Sequence, residues 1–473
     1  MKFWKRFVAS ALTIMLLCIT CEMQLYAEEE AKTPEELAQE EMNAVHALPV
    51  DTNALDGWPQ GPSIFADSAV VMDIGSGAIL YDKRSNEQHY PASITKILTT
   101  LVALENAELT DKVTFSEDSI SFLEYGDAHI GMKPGEEISL EDALYAVLLA
   151  SANEVSYAVA ESVGTTMGGG YDTFIQAMND RAKEIGCTNS HWVNANGLHD
   201  DQHYTTAHDM AVIGAEVFGH EEFRKITSTL QHIIPPTNLV PEQRVFQQNH
   251  KMLQPSNPHY YEYCVGGKTG FTDQAKTTLV TFADNGDMQL VAVNLKSYGV
   301  NVYTDTRAMF DYVYGNFSKV SLEECMDKEK IEKYLEDDAY VVLPKGIEVS
   351  QLEEEYEPIE DEQRREARVS YTYEGQPVGS AKVVLQADFY KKLTGKSDPI
   401  VQEVKKTEKK EKEGFSLPVK IMMGVAAVLI LAGVCYCSIH FHRINQRRRR
   451  RKAAYKNRTK NQISNTTKRG KKN

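Results

Sequence analysis

Two long apolar runs lie near the ends of the chain, and the first of them is in residues 1–27. Basic residues come first, followed by an apolar stretch from Phe7 to Ile19 and a short polar segment ending at Ala27. This order is typical of a secretory signal peptide cleaved after Ala27. An uncleaved anchor is the alternative, but the apolar stretch is shorter than the roughly 20 residues that a membrane-spanning helix needs.

The second apolar run, residues 418–439, is long enough to cross a bilayer and is followed, after residues 440–446, by five arginines, Arg447–Arg451. Basic residues that follow an apolar helix stay in the cytoplasm, so residues 440–473 are predicted to form a cytoplasmic tail. A buried core helix is the alternative, but it would not need that flank. The tail has no acidic residue, and its place beside a membrane favours anionic lipid headgroups over nucleic acid as its partner. The sequence therefore predicts a single-pass protein of the cell membrane whose central region is extracytoplasmic.

Between these runs, residues 63–317 have the pattern of a globular α/β (α+β) domain. Alternating and β-branched stretches predict strands at both ends of this domain, whereas helical spacing dominates its middle. The predicted elements are strands 69–74 and 78–81, helices 97–107 and 140–163, and strands 276–282 and 288–295 joined by a turn at Asp284–Asp287. A sheet is therefore expected whose two halves come from opposite ends of the domain.

Three smaller segments flank this domain. Residues 28–62 are acidic, and Thr33 with Glu36 forms a predicted capping box that opens a short helix within a spacer. Residues 318–390 predict a small β-rich domain, with an acidic helix-like stretch before strands at 339–343, 367–373 and 381–385. Residues 391–417, rich in Lys and Glu, predict a solvated linker to the membrane.

Charge and cysteine content narrow the possible functions. The chain of 473 residues has a net charge of −16 although both of its ends are basic, so the central region is strongly acidic and unsuited to binding polyanions. Of seven cysteines, Cys187, Cys264 and Cys325 lie in the central region, at spacings that indicate neither a disulfide framework nor a metal site. The histidines at 199, 203 and 208 also lack the spacing of a zinc helix, so structural or surface roles are expected.

The first candidate for chemistry is Ser93, which opens a predicted helix three residues before Lys96. Residues three apart lie on one helix face, so the hydroxyl and the amine can meet. A lysine that is desolvated in an apolar cleft loses affinity for its proton and can activate the serine as a nucleophile. The backbone N–H of Ser93 at the helix start can stabilise an oxyanion. Taken alone, this pair also fits a capped helix with a surface lysine.

Two further motifs follow along the chain. Ser151 and Asn153 lie inside an apolar helical stretch, where a hydroxyl and an amide are unexpected because buried polar groups need partners. Lys268, Thr269 and Gly270 follow two glycines and are predicted to start a strand, with the lysine and the threonine on its two faces. Each of these motifs alone is weak, and a satisfied core pair explains the first as well.

Together and in this order, Ser-x-x-Lys, Ser-x-Asn and Lys-Thr-Gly resemble the signature of penicillin-recognising acyl-serine enzymes. The surrounding residues resemble more narrowly the low-molecular-mass serine D-alanyl-D-alanine carboxypeptidases. This resemblance covers residues 63–317 and extends more faintly to about Gln386. It rests on the segments Tyr90–Lys96, Met132–Glu136, Asn196–His199, Tyr204–Ala211 and Gly267–Thr272, with Gly375–Gly379 resembling the β-rich second domain of that family.

The resemblance implies a β-lactamase/transpeptidase-like fold and a role for each motif residue. Ser93 would be the nucleophile, Lys96 the acylation base, and Ser151 a proton relay. Asn153 would orient the substrate amide and Lys96. The implied substrate site is completed by Lys268 and Thr269 at the terminal carboxylate, Gly270, and the backbone N–H of Phe271 in the oxyanion hole.

The implied reaction removes the terminal D-alanine from peptidoglycan stem peptides through an acyl-enzyme, with no metal and no cofactor. β-Lactam antibiotics would acylate the same serine. Three positions depart from the family pattern: Asn196 replaces a usual histidine, Glu154 replaces a usual Asp, and residues 274–277 lack a usual glycine-containing turn. These departures bear on efficiency and substrate detail more than on reaction class.

Three other functions are the alternatives. A β-lactamase of this fold would need a carboxylate that activates the deacylating water, and the segment Glu184–Thr188 does not provide the usual motif. An endopeptidase acting on peptidoglycan cross-links would use the same residues. A non-catalytic β-lactam or wall sensor would not need an intact nucleophile and base.

Overall fold

The computed structural model of the protein describes residues 4, 32–359 and 364–396. The predicted signal peptide cleavage site, the predicted membrane helix at residues 418–439 and the predicted basic tail lie outside these residues. Within the part of the chain that is described, no helix combines the length and the hydropathy needed to cross a membrane.

Residues 32–359 and 365–389 belong to one compact unit. Its strands are β1 (Ser68–Asp73), β2 (Ile79–Lys83), β3 (Lys112–Thr114), β4 (Glu137–Ser139), β5 (Gln231–Ile234), β6 (Arg244–Gln247), β7 (Cys264–Thr272), β8 (Lys276–Asp284), β9 (Gln289–Ser297), β10 (Phe317–Ser321), β11 (Ile331–Tyr334), β12 (Tyr340–Pro344), β13 (Glu353–Pro358), β14 (Glu366–Tyr373) and β15 (Gln376–Leu385).

The helices lie mainly between β2 and β7, as the periodicity predicts. They are α1 (Pro34–His46), α2 (Lys96–Asn106), α3 (Asp118–Ser121), α4 (Leu140–Tyr145), α5 (Asn153–Thr166), α6 (Tyr171–Glu184), α7 (Ala207–Phe218), α8 (Glu221–Ser228), α9 (Asn301–Asn316) and α10 (Ala387–Thr394). Short 3₁₀ turns include Asp51–Ala54 and Ala92–Thr95.

The main sheet has five antiparallel strands in the order β2-β1-β9-β8-β7, so its two halves do come from opposite ends of the domain. Helices cover both faces. Gly214 of α7 approaches Val291 on one face, and Asn294 donates a hydrogen bond of 2.9 Å to Thr306 of α9 on the other. Because alternate residues of a strand point to opposite faces, β9 needs apolar residues at most positions. The neighbouring strand β1 lies between the same two helix layers and is buried along its whole length.

The predicted continuous helix at residues 140–163 is wrong. The chain forms α4, one π-helical turn at Ala146–Ala150 and then α5. The break falls at Ser151, whose φ of 61° lies in the left-handed region. Non-glycine residues adopt this region at a cost and hold it mainly where the surrounding structure requires it. The interruption places Ser151 and Asn153 at the start of a helix instead of inside one.

The β-rich part contains two small sheets, with strand orders β10-β12 and β11-β15-β14-β13. The predicted strands are present, but the acidic stretch before residue 339 is not helical beyond one 3₁₀ turn, Glu323–Cys325, and it contributes β11. Polar contacts join this part to the main sheet: the Tyr340 hydroxyl donates to Asp73 Oδ1 at 2.9 Å, and Ser380 N donates to the Ser76 carbonyl at 2.9 Å.

The predicted capping box at the N-terminal helix is confirmed. Glu36 N donates to Thr33 Oγ1 at 3.2 Å, and Thr33 N donates to Glu36 Oε2 at 2.8 Å. The predicted spacer is partly integrated with the folded unit, because Trp58 is buried against the rings of Phe317 and Tyr373. At the other end, α10 extends into the predicted linker as far as Thr394.

Candidate active site

Ser93 lies in the 3₁₀ turn Ala92–Thr95 that leads directly into α2. Two features hold this turn. Ala92 has a φ of 51°, in the left-handed region. The hydroxyl of Thr278 on β8 donates to the Pro91 carbonyl at 2.8 Å, which ties the turn to the main sheet. The serine is therefore presented on a fixed turn at the end of a buried helix.

Lys96 is fully buried, and its Nζ contacts three oxygen atoms. The distances are 3.0 Å to Ser93 Oγ, 2.7 Å to Asn153 Oδ1 and 2.6 Å to the Asn196 carbonyl. The first two join the first and second motifs, as the sequence predicts. The third involves the loop before Gly197, for which the sequence predicted no chemical role.

Burial lowers the pKa of Lys96 well below its ordinary value, and the nearby Lys268 lowers it further. A neutral amine has two hydrogens and one lone pair. Two of the three contacts, the Asn153 and Asn196 oxygens, only accept hydrogen bonds. The lone pair then faces the Ser93 hydroxyl, which has a proton to give. The geometry thus suits removal of that proton by Lys96.

The second motif is positioned by the broken helix. Asn153 N donates to the Ala128 carbonyl at 2.8 Å, which fixes the start of α5. Asn153 is buried and directs Oδ1 to Lys96. The hydroxyl of Ser151 lies 2.9 Å from Nζ of Lys268, so this serine contacts the third motif.

The third motif lies in the middle of β7, not at the start of a strand as predicted. Lys268 is buried and donates to Ser151 Oγ and, at 2.7 Å, to the Thr269 carbonyl. Burial lowers the pKa of Lys268 to about 7. Upstream, Thr227 exchanges hydrogen bonds with both backbone groups of Gly267, which anchors this part of the strand to α8.

Gly270 and Phe271 bring β7 against the nucleophile. A Cβ added to Gly270 would lie 2.9 Å from Ser93 N, so only glycine fits there without a shift. The side chain of Phe271 is 65% exposed. β7 is an edge strand of the sheet, so an extended peptide can pair with its backbone beyond Gly267, whose own backbone groups are taken by Thr227. The three motifs therefore converge on one cleft between β7, α2 and the start of α5.

Comparison with known proteins identifies this arrangement. The family model of D-alanyl-D-alanine carboxypeptidases, Peptidase_S11, matches residues 57–298. The chain belongs to this family. The serine peptidases of the family are hydrolases, and the match contains all three motifs, from Ser93 to Gly270.

Two curated relatives carry the name of this family. The D-alanyl-D-alanine carboxypeptidase DacF of Bacillus subtilis is 29% identical over 336 residues, which cover 68% of this chain and 76% of that protein. DacC of Escherichia coli is 31% identical over 248 residues, covering 50% of this chain and 58% of that protein. Among solved structures, the Streptomyces K15 DD-transpeptidase aligns with a TM-score of 0.49 at 23% identity, covering 54% of this chain and 100% of that one.

Two positions that depart from the family pattern have specific places at the site. Asn196 acts through its backbone, since its carbonyl accepts from Lys96 while its side-chain Oδ1 accepts from Leu198 N at 3.0 Å. At the β7–β8 turn, where glycine is missing, Lys276 has a φ of 55°. The chain thus forms the left-handed turn conformation without glycine.

Two further residues support the site, although the sequence predicted no place for them there. Glu154 is buried, accepts from Ile130 N at 2.8 Å and so holds the loop before Met132 against α5. His203 is buried beside the nucleophile turn, where its Nε2 lies 2.8 Å from Thr95 Oγ1 and its Nδ1 accepts from Val193 N at 3.1 Å. Burial lowers the pKa of His203 to about 3, so it is neutral. The sequence did contain a signal for Glu154, because an acidic residue directly after the second motif lies within an apolar stretch.

One group of potential metal ligands occurs among the described residues: Asp67, Glu87 and His89. Their carboxylates already face cations. Arg84 pairs with Asp67 at 3.1 Å and also with Glu87, and Lys296 lies 3.8 Å from Asp67. An ion-pair network explains this group. Of the three histidines considered earlier, His199 packs edge-on against Tyr90, and His208 lies 3.5 Å from Asp209.

Proposed function

We propose that this protein is a serine D-alanyl-D-alanine carboxypeptidase that removes the terminal D-alanine from peptidoglycan pentapeptide stems. The observation that carries the proposal is the contact of Ser93 Oγ with the buried amine of Lys96 at 3.0 Å, near a second buried lysine, Lys268, on the edge strand β7. A wall peptide with a free carboxylate fits this arrangement of one nucleophile and one cation.

In the acylation step, Ser93 Oγ attacks the carbonyl carbon of the fourth stem residue and gives its proton to Lys96. The backbone N–H groups of Ser93 and Phe271 stabilise the negative charge that develops on the carbonyl oxygen. The C–N bond then breaks, and the leaving amine of D-alanine takes up the proton from Lys96. Ser151 is proposed to relay this proton, because its hydroxyl lies beside Lys268 at the leaving-group side.

Substrate binding falls to the second and third motifs. Lys268 in its protonated form, with Thr269, would hold the terminal carboxylate, since a buried cation binds a carboxylate through a charge-assisted hydrogen bond. Asn153 would bind the amide of the substrate, and Gly270 allows the close approach of β7 to Ser93. In the deacylation step, water attacks the acyl carbonyl carbon and gives a proton to Lys96. The ester C–O bond then breaks, Ser93 Oγ takes that proton back from Lys96, and the shortened stem peptide leaves with a new terminal carboxylate.

The same serine is proposed as the target of β-lactam antibiotics, which resemble the D-Ala-D-Ala end of the stem and carry a carboxylate for Lys268. We further propose that the enzyme works on the outer face of the cell membrane. This rests on the signal-peptide pattern of residues 1–27 and on the apolar run at 418–439 followed by Arg447–Arg451.

The test is the release of free D-alanine from a synthetic pentapeptide ending in D-Ala-D-Ala, with the full-length chain purified in detergent. The Ser93→Ala variant should release none and should no longer be labelled by a fluorescent penicillin, because one hydroxyl is deleted. Ser318→Ala is a matched control, since Ser318 is an exposed serine outside the catalytic cleft.

Two results would count against the proposal. Labelling that persists in a folded Ser93→Ala variant would show that Ser93 is not the nucleophile. If the native protein is labelled but releases no D-alanine, it is assayed on cross-linked dimeric stem peptides. Cleavage of these peptides would indicate an endopeptidase. Inactivity on them would indicate a β-lactam sensor without peptidase activity.

A further inference from the structure

A second cavity lies next to the nucleophile turn and is not used by the chemistry described above. It measures about 360 Å³, within the range of small-ligand sites, and is lined by Gln88, His89, Tyr90, Asp201, Tyr204, Gln274, Ala275 and Lys296. Tyr90 lies three residues before Ser93, and Gln274 lies three residues after Phe271. Residues that line the cavity are therefore close in sequence to residues on both sides of the catalytic cleft.

The position of this cavity follows from the direction in which a stem peptide would lie. If Lys268 holds the terminal carboxylate and Phe271 faces the scissile carbonyl, the substrate runs antiparallel to β7. Its preceding residues then continue past Phe271 towards Gln274 in the β7–β8 turn. With about 3.3 Å per extended residue, the side chain of the third stem residue comes within reach of the cavity.

The cavity contains charges of both signs. Asp201 is largely exposed, and its carboxylate lies 3.4 Å from the Tyr90 hydroxyl and 3.5 Å from His199 Nε2. Lys296 lies at the end of β9, 3.8 Å from Asp67, a carboxylate that Arg84 already pairs with at 3.1 Å. The ammonium of Lys296 is thus only weakly paired and is available to an anion.

Lys296 also has an unusual backbone. Its φ is 51°, in the left-handed region, within a strand whose pairing with β8 shifts register between Thr277 and Leu279. Such conformations cost energy, and an irregularity of this kind in a strand can turn a side chain to a new direction. Here the irregularity places the Lys296 side chain at the cavity beside Ala275.

We propose that this cavity binds the side chain of the third stem residue and selects one that ends in both an ammonium and a carboxylate, such as meso-diaminopimelate. The inference rests on the proposed carboxypeptidase function. Asp201 would accept the ammonium and Lys296 would hold the carboxylate. L-Lysine at the same position offers only the ammonium, and an amidated diaminopimelate loses the anion that Lys296 recognises.

The experiment measures kcat/KM for D-alanine release by the full-length chain from three pentapeptides, L-Ala-γ-D-Glu-X-D-Ala-D-Ala. X is meso-diaminopimelate, its amide at the free carboxylate, or L-lysine. The first should be preferred roughly three- to tenfold over the other two, the range expected for one partly exposed charge pair. Lys296→Met should remove the difference between the acid and its amide. Asp201→Asn should weaken all three peptides and leave that difference in place.

Matched controls are Lys276→Met and Asp200→Asn, which change neighbouring residues of the same charge that do not line the cavity. Both should keep the wild-type preference. Equal kcat/KM for the three peptides, or a preference that survives in Lys296→Met, would overturn the inference.

A calorimetric arm separates this inference from the proposed function. If no peptide releases D-alanine, the carboxypeptidase proposal fails, and the cavity is then tested by the binding of the tetrapeptides L-Ala-γ-D-Glu-X-D-Ala to the same protein. Tighter binding of the diaminopimelate tetrapeptide, lost in Lys296→Met, would support the cavity assignment. Equal or absent binding of the tetrapeptides would reject it.

Discussion

Nζ of Lys268 lies 2.9 Å from Oγ of Ser151, although the two residues are 117 positions apart in the chain. Both side chains are buried. This contact places a second titratable amine close to that of Lys96, which contacts Ser93 and Asn153. The proposed mechanism needs opposite protonation states of the two lysines, a neutral Lys96 and a charged Lys268.

The pH dependence of the reaction should therefore have two limbs. The alkaline limb of kcat/KM should reflect Lys268, whose pKa is lowered to about 7, because its cationic form is present below that pKa and is lost as the pH rises through it. The acidic limb should reflect Lys96, whose pKa is also depressed, since only its neutral form accepts the proton. The measurement is a pH profile of D-alanine release.

Lys268→Arg tests the assignment of the alkaline limb. Arginine stays protonated at every relevant pH, so the decline near pH 7 should disappear even if the overall activity is lower. An unchanged decline in this variant would assign the alkaline limb to another group.

Removal of the Lys268 charge should discriminate between substrates. Lys268→Ala should lower kcat/KM for a peptide with a free terminal carboxylate by roughly 10- to 100-fold, the loss expected for a charge-assisted hydrogen bond of about 1.5–3 kcal/mol. The C-terminally amidated analogue should lose far less. Lys268→Met, which keeps most of the buried side-chain volume, controls for the cavity that alanine leaves. Equal losses of kcat/KM for both peptides would show that Lys268 does not bind the terminal carboxylate.

The sequence identified the residues of the site better than it did the backbone that positions them. Ser93, Lys96 and Asn153 were predicted and do come together. The left-handed Ser151 that interrupts the helix was not predicted, because Leu148–Ala150 and Val155 have helical spacing and the break depends on tertiary contacts. The carbonyl of Asn196 was also missed, since a backbone acceptor leaves no mark in side-chain chemistry.

The β-rich part shows the same limit. Strand β11 was missed because Ile331–Tyr334 is short and largely charged, so its residues favour an exposed helix by composition, and only its pairing with β15 makes it a strand. Strands with buried, alternating positions such as β14 were predicted correctly. Local pattern was thus sufficient for strands with a clear apolar or alternating pattern and insufficient for β11, which has two charged residues among four.

Gly197 should be essential for the shape of the nucleophile turn. Its φ is 83°, and an added Cβ would lie 1.9 Å from the carbonyl oxygen of Ala92. Gly197→Ala should therefore displace the turn that carries Ser93, lower the rate of penicillin labelling at least about tenfold, and destabilise the fold by more than the roughly 1–3 kcal/mol of a left-handed alanine alone. Thermal unfolding and labelling kinetics measure the two effects.

Gly286→Ala is the matched control for this prediction. Gly286 has a φ of 88°, but an added Cβ there would meet no atom within 4 Å. The control should show the backbone penalty and normal labelling. Similar labelling rates in the two variants would mean that the contact between Gly197 and Ala92 does not set the position of Ser93.

Ionisation of the buried Glu154 carboxyl group should lower the free energy of unfolding as the pH rises above the acidic range. Burial raises its pKa, and this effect outweighs the lowering of the pKa by the backbone N–H groups of Ile130 and Met132. Between the ordinary pKa and the raised one, the folded state binds more protons than the unfolded state, so the free energy of unfolding falls as the pH rises. Glu154→Gln keeps an acceptor for Ile130 N and has no charge to bury. Its melting temperature should therefore exceed that of the wild type by more at pH 8 than at pH 5, as measured by calorimetry. A difference that is independent of pH would show that ionisation of Glu154 has no part in stability, whereas Glu154→Ala, which leaves Ile130 N unpaired, should be less stable than the wild type at both values.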